Sequence, residues 1–170
     1  MPWTAPERPD PPYLAAERDG LEAWLQYQRA TLLTKCAGLT PDQLCERSCP
    51  PSTMSLLGLL RHLADVERHW FRRVLQGEDV PHLFYAPDWG DDDAFDGVDP
   101  TAADADLAAY AGEVSAARAV AARHTLDDVG HRGGQDVPLR WIYTHLVSEY
   151  ARHNGHADLL RERIDGATGE

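Results

Sequence analysis

Trp141–Ile164 (WIYTHLVSEYARHNGHADLLRERI) has the spacing of one long helix with polar chemistry on its apolar side. Glu149 and His153 are four residues apart, so at 3.6 residues per turn they stand about 40° apart, one turn above the other. Ile142, Leu146 and Leu160 share that face, which aims a carboxylate and an imidazole toward the core. Burying ionisable groups costs several kcal/mol unless they are paired or bind a metal. Something has to compensate these two, and a divalent cation is the leading candidate.

The rest of the chain supplies helices for that one to pack against. After a Pro-rich extended arm (residues 1–16), Glu17 to Ala37 shows helical spacing at Leu21, Trp24, Leu25 and Leu32, stopped by Gly38 and Pro41. A linker ending in Pro50-Pro51-Ser52-Thr53 precedes a second helix from Met54 to Gln76, with the stripe Leu56, Leu59, Leu63, Val66, Trp70 and Val74 and a stop at Gly77. Gly77 to Asp99 is a long Asp/Gly/Pro-rich connection carrying Phe84, Tyr85, Trp89 and Phe95. Connections of that length are uncommon and tend to be functional or to cover something. A third helix runs from Thr101 to His124 on Leu107, Tyr110, Val114 and Val120, and a Gly/Asp segment leads to Pro138 at the first turn of the fourth, which Gly166 ends. No β-alternating segment stands out. The expected fold is all-α: a four-helix bundle over residues 17–166, with a long crossover between helices 2 and 3 and a tail at 167–170.

Composition narrows the function. With 170 residues, 43% of them hydrophobic, the chain makes one globular domain with a sizeable core. A net charge of −12 argues against nucleic acid, which needs clustered Lys and Arg. Much of the acidic excess lies in one run (Asp88, Asp91, Asp92, Asp93, Asp96, Asp99) that reads as a solvated loop without the ligand register of a calcium site. No apolar stretch approaches the roughly 20 residues that span a bilayer. The N-terminus lacks the apolar core of a signal peptide, so a cytoplasmic location is expected. Cys36, Cys45 and Cys49 lack CxxC spacing and are expected as reduced thiols with a packing role.

The eight histidines divide by position. His62 sits one turn before Val66 at the edge of the second helix's stripe, where it can look inward as a third ligand or serve as a hydrogen-bonded core residue. His69 lies two turns further along, roughly 10 Å away, too far to share an ion with His62. His156 and His145 lie on the Glu149 side and remain alternatives or partners that orient a ligand. His82, His124 and His131 fall in connections or at a helix end and read as solvated. Two His plus one carboxylate is a common catalytic metal set with open positions for water or substrate.

Two words carry a resemblance: Pro51-Ser-Thr-Met-Ser-Leu-Leu-Gly-Leu-Leu-Arg-His-Leu-Ala-Asp-Val-Glu-Arg-His-Trp-Phe71 and Glu149-Tyr-Ala-Arg-His-Asn-Gly-His-Ala-Asp-Leu-Leu-Arg-Glu-Arg-Ile-Asp-Gly166. Together they resemble the DinB-like (YfiT-like) superfamily of metal-dependent four-helix bundles, in its actinobacterial branch, over residues 15 to 166. The resemblance implies a divalent ion, zinc or nickel, held by a His of the second helix and two residues four apart on the fourth. Those positions fall on His62, Glu149 and His153. Many relatives carry His at both fourth-helix positions; the His, Glu and His set here is similar to that of mycothiol-dependent maleylpyruvate isomerase. Characterised relatives use mycothiol or bacillithiol, and the Ala-, Arg- and Asp-rich composition resembles high-GC actinobacterial proteins, which favours mycothiol.

The resemblance therefore implies a thiol S-transferase or isomerase whose ion activates a small-molecule thiol toward a small electrophile. The alternatives are hydrolysis by a metal-bound water, or a non-enzymatic bundle whose polar face is a structural or metal-sensing site or the interface of a homodimer. Arg152 is turned about 100° from His153, off the site's face. Arg140 and the Gly77–Asp99 loop remain as candidates for substrate contacts.

Overall fold

A computed structural model describes residues 3–85 and 93–169. Asp88, Trp89, Asp91 and Asp92 of the acidic connection lie outside the described residues. The chain is mostly helical, as the apolar periodicity requires. The arm from Trp3 is extended and tied down: Gly38 N donates to Trp3 O (2.9 Å), and Trp3 Nε1 donates to Asp104 (3.0 Å).

Helix α1 spans Glu17–Cys36, with Glu17 and Asp19 in its first turn, where they complement the helix dipole. Its Leu25 and Leu32 are buried, but Trp24 is 49% exposed and meets Tyr27 edge-on instead of joining the core. Pro41 does not merely end α1; it opens a short helix α2, Pro41–Cys45, because Thr40 and Gln43 form a capping box around it. Cys45 closes α2 while Cys49 lies beyond it, and all three cysteines are free thiols.

Helix α3, Leu56–Glu67, continues without a break into a π-helical segment, Arg68–Leu75, in which residues advance around the axis more slowly than in an α-helix. The expected stripe is buried throughout, from Leu56 to Val74. The connection that follows contains the short α4, Asp93–Asp96, and a 3₁₀ turn, Pro100–Ala102, which leads into α5, Ala103–Ala121. Tyr110, Val114 and Val120 of α5 face the core.

Residues 129–138 correct the expectation of an irregular lead-in. β1, Val129–Arg132, pairs antiparallel with β2, Gln135–Pro138, in the register Val129↔Pro138 and Arg132↔Gln135. The two residues between the strands, Gly133 and Gly134, have φ of +57° and +81°, the left-handed pair that a tight hairpin turn requires. The strand signal was the two-glycine turn, not alternation. Pro138 is consequently the cap residue of α6, Leu139–Asp165, rather than part of its first turn, and Gly166 (φ +79°) ends that helix. α6 packs along α1 and against α3, and α5 packs on α3 and the π segment.

Candidate metal centre

His62 is placed by three local devices. Ser55 caps α3 by accepting from Gly58 N (3.1 Å), fixing the helix start. Gly58 lets Phe95 approach, since a Cβ there would stand 2.6 Å from Phe95 Cδ1. Phe95 then stacks on the His62 ring at 5.9 Å between centroids. On the other side, the fully buried Asp65 carboxylate accepts from the Leu83 and Phe84 backbone amides (2.7 Å each). That anchor turns the connection so that the Tyr85 hydroxyl lies 2.8 Å from His62 Nδ1.

The opposite ring nitrogen, His62 Nε2, faces α6. Glu149 Oε1 lies 3.4 Å from it and 3.2 Å from His153 Nε2. The two imidazoles are 4.7 Å apart between centroids. One atom from each of the three residues falls within 4.8 Å of the other two, and among the described residues no other His, Cys, Asp or Glu group converges in this way. The side chains are 13–19% exposed, so the cluster is largely shielded from water but not sealed. Hydrogen bonds from His153 and then His62 hold the Glu149 carboxyl well below the usual carboxylate range, against the opposing effect of burial. The three residues singled out in the sequence thus meet in one cluster, Glu149 and His153 from α6 and His62 from α3.

The other histidines separate. His156 lies beside His153, Nδ1 to Nδ1 at 3.4 Å, outside the cluster. His145 stacks on Trp141 at 4.8 Å with 9° between planes; burial chiefly lowers its pKa, with Glu149 opposing. His131 is exposed as expected. His82 is not: its side chain is 2% exposed and lies 3.4 Å from Asp65, because the loop that Asp65 anchors folds inward. His124 is also drawn in, its side chain 22% exposed beside Asp128. Arg140 faces away from the cluster and pairs with Glu17 and Asp127 at 2.8 and 2.7 Å.

A cleft of about 590 Å³ opens beside the cluster, lined by His62, Glu149, Val66, His69, Trp70, Arg132, Trp141 and His145. A cavity of about 620 Å³ lies elsewhere, between α1, α5 and α6, and the cluster does not line it. Chemistry rather than volume picks out the first. Sequence reasoning put Tyr85 only in a connection with candidate substrate contacts and missed Asp65 and Arg132 as parts of this neighbourhood; the cue for Asp65 was its place one residue before Val66 of the apolar stripe. It also missed a buried network behind the cluster. Arg29 donates twice to Glu67 (2.7 and 2.6 Å), and the Tyr150 hydroxyl donates to Glu67 (2.8 Å) and lies 3.1 Å from that of Tyr110. Glu149 and Tyr150 are consecutive, so one turn of α6 serves both the cleft and the core.

No curated protein matches the chain. The family described as Mycothiol-S-transferase matches residues 20–166. That span takes in His62, Glu149, His153 and every long helix but the first turn of α1, and the chain belongs to the mycothiol S-transferase family.

Proposed function

We propose that the protein is a metal-dependent transferase that joins mycothiol, or a closely similar small thiol, to an electrophilic carbon, with His62, Glu149 and His153 as the metal ligands. The observation that carries this reading is the spacing of the donor atoms. A tetrahedral ion with bonds of about 2.0–2.1 Å sets its ligand atoms about 3.3 Å apart. Glu149 Oε1 stands 3.4 and 3.2 Å from the two Nε2 atoms. Nitrogen and oxygen donors of this kind suit zinc or nickel. An ion held by these three residues alone would keep a position for a further ligand, the pattern of a catalytic rather than a structural site, and His62 and Glu149 both line the cleft. In this reading α1, α3, α5 and α6 form a four-helix bundle, and its site is built from facing helices.

A bound ion supplies a lowered pKa to a thiol beside it, so that thiolate is available at neutral pH. The protein's own residues do the rest. Tyr85 fixes the His62 ring, and Glu149 neutralises part of the local positive charge. Val66, Trp70 and Trp141 line the cleft with apolar surface and limit water around the reacting sulfur. In the transfer the sulfur forms a C–S bond while a leaving group departs with its electron pair; for an alkene acceptor, the neighbouring carbon takes a proton instead.

Metal analysis of the purified protein beside His62→Ala and His153→Ala, followed by assay of mycothiol consumption with a panel of electrophiles, tests the reading. Near-stoichiometric metal lost in both variants, and thiol-dependent turnover lost with it, is expected. Equal metal in all three proteins, or hydrolysis of an ester that needs no thiol, overturns it.

A further inference from the structure

The cleft has an aromatic wall and one cation that the cluster does not use. The rings of Trp141 and His145 are stacked, and Trp70 stands 5.1 Å from Trp141 and 4.7 Å from His145. Trp141 is nevertheless 45% exposed, so a large flat apolar surface at the mouth of the cleft is open to whatever enters. The Arg132 guanidinium lies over the Trp70 ring at 5.2 Å. Several other arginines are in ion pairs: Arg68 and Arg72 with Glu113, Arg29 with Glu67, Arg161 with Asp165. Among the described residues Arg132 forms no ion pair, although the chain carries a net charge of −12. The two acidic groups near it are committed, Glu149 to the two imidazoles and Asp136 to His131 at 2.8 Å.

Arg132 is held there by the backbone as well. Gly130, two residues earlier in β1, lies so close to the π segment that a Cβ would collide with the Val74 carbonyl oxygen and stand 2.6 Å from Leu75 Cα. The hairpin is thus seated directly on the segment that carries Trp70. A second hollow of about 240 Å³ continues the cleft along the hairpin and shares Trp70, Arg132 and Trp141 with it. Aromatic surface and an unspent guanidinium at one junction form a complementary seat for a planar anion, since Arg offers a forked set of donors to a carboxylate.

We propose that Arg132 and Trp141 select the second substrate, a flat aromatic or conjugated electrophile that carries a carboxylate, its ring against Trp141 and its anion on Arg132. The thiol transfer itself rests on the function proposed above; the binding preference does not.

The test is therefore direct binding. The purified full-length protein is titrated with 2-naphthoate and with its neutral counterpart 2-naphthamide, followed by tryptophan fluorescence and by NMR shifts. Arg132→Gln, Arg132→Lys, Trp141→Leu and His153→Ala are compared with the parent. The acid should bind at least about tenfold more tightly than the amide, as one charge-assisted hydrogen-bonded pair implies. Arg132→Gln should abolish that preference, Arg132→Lys keep part of it, and Trp141→Leu weaken both ligands. His153→Ala should keep the preference while losing metal, which separates this inference from the metal assignment. Equal binding of acid and amide by the parent, or a preference that survives Arg132→Gln, overturns it. A preference lost in His153→Ala assigns the carboxylate to the cluster and overturns it as well.

Discussion

The Tyr85 hydroxyl lies 2.8 Å from Nδ1 of His62, on the ring edge opposite the nitrogen that faces Glu149. A neutral imidazole that gives Nε2 to a ligand carries its proton on Nδ1 and donates it there. Tyr85 thus holds the ring's orientation and offers an acceptor for the Nδ1 proton when Nε2 is given to an ion. Tyr85→Phe is expected to weaken zinc binding about 10–100-fold while leaving the urea midpoint nearly unchanged. Isothermal titration with zinc, beside a denaturation curve, checks both halves.

Behind the cluster, the Arg29–Glu67 pair is buried and bidentate. Removing one partner strands the other charge in the core. Glu67→Leu should cost about 3–5 kcal/mol in urea unfolding. The double variant Arg29→Met/Glu67→Leu should recover much of that loss, because both charges are then gone. A double variant no more stable than Glu67→Leu would assign the cost to the lost Tyr150 hydrogen bond instead.

Gly130 has backbone rather than side-chain atoms against it, so nothing nearby can yield cheaply. Gly130→Ala should destabilise the fold by about 1–3 kcal/mol, the usual cost of overpacking. It should also lift the hairpin from the π segment and move Arg132 off Trp70. A stability loss together with a changed tryptophan emission spectrum is the expected pair of observations.

Burial, with help from Arg132, pushes His69 down to about 4 from its ordinary 6.5. The folded protein therefore binds this proton less readily than the unfolded chain. Stability from this group is complete above about pH 6.5 and is lost as pH falls from there to about 4. Because water reaches part of the ring, the slope should stay below the one-proton limit of ~1.4 kcal/mol per pH unit. Arg132→Gln removes a nearby positive charge and should raise the His69 pKa. An NMR titration of the imidazole resonances reads that shift.

Much of this protein was legible in its residues. Apolar spacing located the long helices to within a few positions, because 3.6-residue periodicity is a local property of the chain. Spacing four apart put Glu149 and His153 on one face for the same reason. What lay beyond the sequence were meetings between distant segments. The Tyr85 hydroxyl reaches His62 only because Asp65 folds the intervening loop inward, which also buries His82 against expectation. The hairpin was hidden by lack of alternation, since its strands are four residues each and its turn lies in two glycines. Trp24 has the period of a core residue but faces out, because only packing decides which part of a broad apolar stripe is covered. The position of Arg132 over Trp70 depends on a backbone contact between Gly130 and Val74, and no local pattern in the chain encodes that approach.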